Sequence, residues 1–174
     1  AYKGQDTFLT VGDNNCIREN CTIHRGTAPG SETVVGNSVM LMANSHVAHN
    51  CRICDGVITA NNVAFGGYVE VGARAFVSGG VVVHQYCRIG SLAIISGLTA
   101  IGKDVPPYML CMGKPGLVHG LNSVGLRRAG LSAEVRSDLK QAFRLIYRSG
   151  LDPESALEAV ERECSSAEAV QLVE

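Results

Sequence analysis

An apolar residue returns at every sixth position from Val11 to Ile101, and this period constrains the fold more than any other feature. A helix repeats every 3.6 residues and a strand every 2, so neither element alone explains the pattern. Such a repeat is typical of a parallel β-helix, in which each unit forms one flat side and one turn, and three units close a triangular coil of about 18 residues. Only Pro29 and Thr59 depart from Val, Ile, Leu or Phe in the series Val11, Ile17, Ile23, Pro29, Val35, Leu41, Val47, Ile53, Thr59, Phe65, Val71, Val77, Val83, Ile89, Ile95 and Ile101.

Stacked coils would lie about 4.8 Å apart, which places each apolar residue over its equivalent in the preceding coil. The resulting narrow core suits aliphatic side chains, in agreement with an aromatic content of 5% and the absence of Trp. With 20 glycines and 18% charged residues, the composition disfavours a helix bundle. We therefore expect an all-β solenoid with three apolar columns, formed by Val35, Ile53, Val71 and Ile89, by Leu41, Thr59, Val77 and Ile95, and by Val47, Phe65, Val83 and Ile101.

Two segments interrupt or end the repeat. Residues 27–34 include Pro29, Gly30 and Ser31 without shifting its phase, so we expect a loop that protrudes from a corner. The repeat is expected to stop at residues 104–107, because proline lacks the backbone N–H that a strand ladder requires. The expected domains are a solenoid in residues 1–108, a glycine-rich linker in residues 109–130 and a helical domain in residues 131–174.

The last part of the chain is rich in helix formers. Ser132 can cap a helix that Gly150 ends, and Asp152-Pro153 can start a second one. A third short helix is expected from residue 165 or 166 onward. We expect these helices to cover the open end of the solenoid, which is a structural role. The apolar stripe of the first helix is Val135, Leu139, Phe143 and Ile146.

Charge and hydropathy exclude several classes of partner. A formal net charge of −1 leaves no basic field for nucleic acid. No uninterrupted apolar run approaches the roughly 20 residues of a membrane span. Because the sequence also shows no charged-then-apolar leader, we expect a cytoplasmic protein without a membrane span.

Cys51 and Cys54 form an isolated C-x-x-C among the seven cysteines. A zinc site of this type needs a second pair at matching spacing, and Cys16 and Cys21 do not supply it. Cys51 also falls at a small-residue position of the repeat, where a thiol acts as a compact apolar group. We therefore expect neither a metal site nor redox chemistry at this pair.

The histidines are the candidate chemical groups. His49 is followed one coil later by Gly67 and two coils later by Gln85, so coil stacking would align the three along one corner. His46 and His84 lie close to this column in the sequence. A surface column of His, Gly and Gln packs poorly, which favours a ligand-binding groove over a purely structural role.

The run Ser45-His46-Val47-Ala48-His49 resembles the histidine segment of the UDP-N-acetylglucosamine O-acyltransferases of lipid A biosynthesis, part of the hexapeptide-repeat acyltransferases. The resemblance runs nearly from end to end, and family members are longer by several N-terminal coils. It implies a left-handed β-helix and a homotrimer with sites between neighbouring subunits. The other segments that agree in order and spacing are Gly12-Asp13-Asn14-Asn15, Thr22-Ile23, Arg25-Gly26-Thr27, Ala60-Asn61-Asn62, Val83-His84-Gln85, Asp104-Val105-Pro106-Pro107-Tyr108 and Leu145-Ile146-Tyr147-Arg148-Ser149-Gly150.

The resemblance also implies an activity: transfer of a 3-hydroxyacyl group from acyl carrier protein to the 3-hydroxyl of UDP-N-acetylglucosamine, with no metal or organic cofactor. His49 matches the general base, whose imidazole would titrate near working pH. Gly67 matches the backbone N–H that binds the oxyanion. The matched substrate-binding residues are His46, His84, Gln85, Asn122 and Arg128, and Gly97 matches a position where residue size limits the acyl chain.

Four residues depart from the family pattern. Asn50 stands where an aspartate usually follows the catalytic histidine, and Tyr68 stands where another histidine is usual. Val124 and Ala129 replace polar or basic nucleotide contacts. These departures put the details of nucleotide binding in doubt more than the roles of His49 and Gly67.

Two other functions remain open from the sequence. A γ-carbonic-anhydrase-like enzyme uses the same solenoid, and His46, His49 and His84 could supply zinc ligands in number. The H-x-x-H spacing and the helical tail argue against it. The second alternative is a structural trimer that has lost activity, which Asn50 and Tyr68 favour.

Overall fold

The structure is a computed structural model that describes residues 3–172, and it divides into a β unit up to His119 and a helical unit from Gly120. The β unit is a solenoid of short parallel strands, as predicted. In chain order the strands are β1 (Phe8–Val11), β2 (Cys16–Ile17), β3 (Thr22–Ile23), β4 (Glu32–Val35), β5 (Met40–Leu41), β6 (His46–Val47), β7 (Arg52–Ile53), β8 (Ile58–Thr59), β9 (Ala64–Phe65), β10 (Glu70–Val71), β11 (Phe76–Val77), β12 (Val82–Val83), β13 (Arg88–Ile89), β14 (Ile94–Ile95), β15 (Ala100–Ile101), β16 (Met109–Met112) and β17 (Leu117–Leu121).

Three sheets form the sides of the solenoid, and each takes every third strand up to β15. Val71 pairs with Ile53 on one side and with Ile89 on the other, which is the 18-residue coil expected from the repeat. The three predicted columns are confirmed, because each of them lies in one sheet with its side chains buried. Thr59 fits among the apolar residues because its hydroxyl lies 3.0 Å from that of Ser45.

The first coil has a different register. Val11 pairs with Val35 across 24 residues, so the intervening loop adds six residues and keeps the phase. The predicted loop over residues 27–34 was too long, because β4 already begins at Glu32 and Thr33 is fully buried. The axial side chains of this coil, such as Val11 and Ile17, stay 43% and 44% exposed.

The ladder does not stop at residues 104–107, and that prediction was wrong. Val105 forms a parallel bridge with Ile89, and β16 pairs with β14. Pro106 and Pro107 are tolerated because the N–H groups on either side make the bonds: Val105 donates to the carbonyl of Arg88 and Tyr108 to that of Ser91.

The corners of the coils are tight turns that place non-glycine residues in the left-handed region. At the corner that follows β6, β9 and β12, Asn50, Tyr68 and Tyr86 have φ values of 61°, 60° and 66°. Tyr68 N–H donates to the carbonyl of His49 one coil earlier, which locks the corners into a column. The backbone of this corner is therefore well defined, and it sets the direction of the Cα–Cβ bond of each residue in the column.

The helical unit contains α1 (Ser123–Arg128), α2 (Ala133–Arg148), α3 (Pro153–Glu163) and α4 (Ala167–Val170). The two predicted caps are confirmed, because Ser132 accepts from Val135 N–H and Asp152 from Ser155 N–H. The third helix begins where expected, and Ser166 caps it by accepting from Ala169 N–H. Of the predicted stripe on α2, Leu139 is fully buried and the others are half-buried. No helix in residues 3–172 is long and apolar enough to cross a bilayer.

Helix α1 was not predicted, since its residues were assigned to the linker. It is only six residues long and contains Gly125, so helix propensity gives little signal. Asn122 supplies the cap, because its side-chain oxygen accepts from Gly125 N–H at 3.0 Å. The cap and the burial of Leu126 therefore stabilise a helix that propensity alone would not.

Candidate active site

His49 is held at its corner by a side chain in the next position. Its Nδ1 lies 3.1 Å from Oδ1 of Asn50. The same oxygen accepts from the backbone N–H of Thr27 at 3.1 Å and from its hydroxyl at 2.9 Å. The backbone N–H of Asn50 donates to the hydroxyl of buried Thr33 at 2.7 Å. The imidazole is thus oriented by a bonded cluster and not by packing alone.

Gly67 lies against the His49 ring. A Cβ at Gly67 would come within 2.6 Å of Cε1, 2.8 Å of Nε2 and 3.2 Å of Nδ1 of His49. Real Cβ atoms do not approach so closely, so glycine is the residue that lets the imidazole occupy this place. No described residue accepts a hydrogen bond from Gly67 N–H. The same is true of the N–H of Gly79, which holds the equivalent position at another corner. The nearby imidazole, rather than the unpaired N–H, distinguishes Gly67.

His46 points outward from β6 and is half-buried. Its Nδ1 lies 2.7 Å from the hydroxyl of Thr22, and its ring meets that of His24 edge-on at 4.7 Å. Burial lowers the pKa of His46 and the neighbouring His24 lowers it further, so His46 favours the neutral form.

His84 and Gln85 extend the same column but are exposed. Nδ1 of His84 lies 3.1 Å from the backbone carbonyl of Gln85. The predicted column of His49, Gly67 and Gln85 is present, because Tyr68 N–H bonds to His49 O and Tyr86 N–H to Gly67 O.

Two tyrosines next to this column were not among the predicted site residues, although Tyr68 was identified as a departure from the family pattern. Tyr68 and Tyr86 stack with ring centroids 4.9 Å apart, and Tyr68 meets the His49 ring edge-on at 5.4 Å. They are 37% and 63% exposed. The 18-residue period could have identified them, since they follow Asn50 by one and two coils.

A cavity of about 640 Å³ opens beside His49. Its lining combines apolar side chains, such as Phe8, Leu9 and Ile23, with His24 and Arg25. Phe8 and Leu9 were not predicted as site residues, because they precede the repeat and carry no motif. His49 is itself one of the residues that line this cavity.

Gly97 lies at a different corner from His49. Its Cβ position would contact the carbonyl of Gly79 at 3.4 Å, and the next residue, Leu98, bonds to the same carbonyl. Within one chain, therefore, the structure does not bring Gly97 together with His49 and Gly67.

Asn122 and Arg128 belong to the helical unit. Asn122 is buried and caps α1, whereas Arg128 is exposed in the last turn of that helix. A Cβ at Gly125 would come too close to the Asn122 side chain, so this cap also depends on glycine. Asn122 has a structural role whatever it binds.

The C-x-x-C cysteines face different surroundings. Cys51 is buried, its thiol donates to the carbonyl of Gly66 at 3.1 Å, and burial raises its pKa to about 11. Burial also raises the pKa of Cys54. Among residues 3–172, no three His, Cys, Asp or Glu side chains are grouped so as to hold a metal ion.

Comparison with known proteins identifies the family. The model of UDP-N-acetylglucosamine O-acyltransferase domain 2 matches residues 104–174, and the bacterial transferase hexapeptide model matches residues 32–67. The chain is 47% identical over 92% of its length to the acyl-[acyl-carrier-protein]–UDP-N-acetylglucosamine O-acyltransferase of Synechocystis, covering 58% of that protein. It is 44% identical over 98% of its length to the enzyme of the same name from Pseudomonas entomophila, covering 67% of it.

Solved structures agree. LpxA, a UDP-N-acetylglucosamine acyltransferase from Bacteroides fragilis, superposes with a TM-score of 0.95 at 41% identity, over 99% of this chain and 68% of that one. The Arabidopsis UDP-N-acetylglucosamine acyltransferase gives a TM-score of 0.90 at 41% identity, over 93% and 58%. The predicted left-handed parallel β-helix with a helical tail is confirmed. The chain spans roughly three fifths of the curated relatives that it matches, and it belongs to the UDP-N-acetylglucosamine O-acyltransferase family.

Proposed function

We propose that this chain transfers a 3-hydroxyacyl group from acyl carrier protein to the 3-hydroxyl of UDP-N-acetylglucosamine, the first step of lipid A biosynthesis. One observation carries the proposal: the His49 imidazole is oriented by Asn50, rests on Gly67 and lines an open cavity. The named activity of the relatives agrees with it.

His49 acts as the general base. A sugar hydroxyl is a weak nucleophile at neutral pH, and a neutral imidazole can take its proton as oxygen attacks the thioester carbonyl. The new C–O bond produces an oxyanion, which the N–H of Gly67 stabilises. The oxyanion then collapses, the C–S bond breaks, and the imidazolium returns its proton to the leaving thiolate. The thioester is already activated, so the reaction requires no cofactor.

The remaining residues position the substrates. His46, whose pKa is lowered by burial and then by His24, together with His84 and Gln85 holds the sugar nucleotide along the outside of the column. Asn122 and Arg128 contact the nucleotide, as the family resemblance implies. Gly97, without a side chain, leaves room for a long acyl chain.

The active unit is a homotrimer. His49 and Gly97 lie at different corners of one chain, so a groove lined by both requires two neighbouring copies. Contacts between two different surfaces, repeated around a threefold axis, close into a ring. We place the enzyme in the cytoplasm, where acyl carrier protein and sugar nucleotides are made.

The test is direct assay of the chain with UDP-N-acetylglucosamine and a series of 3-hydroxyacyl carrier proteins, with products identified by mass spectrometry. His49→Ala should lower the rate by at least about 100-fold. His119→Ala, an exposed histidine outside the corner column, is the matched control and should retain activity. A folded wild-type chain that forms no product would contradict the proposed function and support the structural trimer. Zinc-dependent hydration of CO₂ would support the carbonic-anhydrase alternative.

A further inference from the structure

Asn50 raises a specific question about His49, because an amide presents either an oxygen or an NH₂ group to a ring nitrogen. The two ends of an asparagine side chain are distinguished by their partners. The backbone N–H of Thr27 can only donate, and it points at the Asn50 atom that faces His49, 3.1 Å away. That atom must therefore be the carbonyl oxygen.

The protonation of His49 follows from this assignment. An amide oxygen only accepts, so the Nδ1 that lies 3.1 Å from it must carry the hydrogen. In the neutral ring the other nitrogen, Nε2, then holds the lone pair. Nε2 has no hydrogen bond to any residue that the structure describes, which leaves it open to a substrate hydroxyl.

We infer that Asn50, fixed by Thr27, is a positioning residue that selects the Nδ1–H tautomer of His49 without contributing charge. The amide can orient the imidazole as an aspartate would. Because it is neutral, it cannot stabilise the positive charge of the imidazolium as a carboxylate would. The consequence for the rate rests on the proposed function, whereas the tautomer does not.

The charged groups already near His49 determine how much an aspartate at position 50 would stabilise the imidazolium. Besides Asn50, the titratable groups identified near His49 are Tyr68 from the next coil, edge-on at 5.4 Å, and His24 and Arg25, which line the same cavity. None of these brings a negative carboxylate to the ring. Asn50→Asp would place one about 3 Å from Nδ1, which favours the imidazolium that forms as the hydroxyl loses its proton.

The first measurement is the ¹⁵N spectrum of the histidine rings in the full chain, with the His49 signals assigned by their loss in His49→Ala. In its neutral form, the wild-type ring should show the Nδ1–H tautomer. Asn50→Asp should keep it, and Asn50→Ala should shift the ring towards Nε2–H, the form that free imidazole side chains prefer. A wild-type ring in the Nε2–H form would overturn the inference.

Kinetics supply the second readout. Asn50→Ala should lower kcat by at least about tenfold, and Asn50→Asp should raise kcat about tenfold and move the acidic limb of the pH–rate profile about one unit higher. Asn62→Ala is the matched control, since Asn62 has the same left-handed backbone at another corner, with φ 62°. The Asn62→Ala variant measures how much activity is lost merely by placing alanine in a left-handed backbone conformation. Equal losses in Asn50→Ala and Asn62→Ala, with the tautomer unchanged, would reduce Asn50 to a turn residue.

The two proposals fail separately. A chain that turns over no substrate but shows the Nδ1–H tautomer would contradict the proposed function alone. A chain that is active with His49 in the Nε2–H form would contradict the role of Asn50 alone.

Discussion

The imidazole of His49 occupies the space in which any side chain of Gly67 would have to lie, with Cε1 only 2.6 Å from the position of a Cβ. The two residues are one coil apart, so their contact repeats the stacking of the solenoid itself. The proposed base and the proposed oxyanion donor are therefore coupled in one direction: Gly67 cannot gain a side chain without displacing the imidazole of His49.

Gly67→Ala should consequently impair catalysis by displacing the ring. A shift of about 1 Å in a reacting group can cost roughly 100-fold in rate, so we expect a loss of that order in kcat/KM. Gly79→Ala is the control, because Gly79 holds the equivalent turn position and its Cβ would meet no ring, but the carbonyl of Asn61 at 3.3 Å and the Cβ of Ala60 at 4.0 Å. Steady-state kinetics of both variants check this, and equal rates for the two would contradict the coupling.

His46 should make the stability of the chain depend on pH. Its pKa is lowered in the folded state, first by burial and then by His24, so the unfolded chain binds the proton more readily. The contribution of neutral His46 to the free energy of unfolding should therefore be complete above about pH 6.5. It should be lost as the pH drops through the lowered pKa. Urea denaturation at about pH 7.5 and about pH 5.5 measures the effect.

The variant that isolates this contribution is His46→Gln, which keeps a polar side chain near Thr22 but does not titrate in this range. The difference in unfolding free energy between the two pH values should be smaller in His46→Gln than in wild type. An unchanged difference would show that other groups cause the pH dependence.

Tyr68 and Tyr86, which lie in adjacent coils, should stabilise one another. Their rings stack at 4.9 Å with an interplanar angle of 16°. Stacked pairs of this kind contribute about 0.5–1.5 kcal/mol beyond area burial, and exposure places this pair near the lower end. A double-mutant cycle with Tyr68→Ala and Tyr86→Ala, followed by urea denaturation, gives the coupling free energy. A value near zero would mean that the rings are only neighbours.

Cys51 should resist alkylation in the folded protein. It is buried and its pKa is raised to about 11, so almost no thiolate is present near neutral pH. Cys16 is exposed and serves as the internal comparison. Mass spectrometry after brief treatment with iodoacetamide should find Cys16 modified and Cys51 unmodified. Rapid modification of Cys51 would instead favour a reactive role for the C-x-x-C pair.

The repeat predicted the core because an 18-residue coil imposes one register on every interior strand. Once Val35 and Ile53 are assigned to a column, the positions of Val71 and Ile89 follow by addition. The corner column of His49 and Gly67 follows from the same arithmetic. These contacts depend only on the number of residues between the partners, so they can be predicted from the sequence.

Contacts that break the period could not be predicted in this way. Thr27 reaches Asn50 across 23 residues because the added loop gives the first coil a register of its own. Whether that loop protrudes or folds back onto Asn50 depends on side-chain hydrogen bonds, which the repeat does not encode. Helix α1 was missed for a similar reason, since its cap at Asn122 outweighs a weak local propensity.

Gly97 provides the test of the proposed groove between subunits. Its φ is not in the left-handed region and a Cβ would lie 3.4 Å from the nearest atom, so a larger residue fits the backbone of one chain. Gly97→Ala and Gly97→Leu should therefore fold as stably as wild type, while the preferred acyl chain becomes progressively shorter because the side chain fills the groove. Competition among 3-hydroxyacyl carrier proteins of different lengths, read by mass spectrometry, measures the preference. If Gly97→Leu keeps both the rate and the chain length of wild type, the acyl chain does not pass Gly97, and the argument for a groove formed by two copies fails with it.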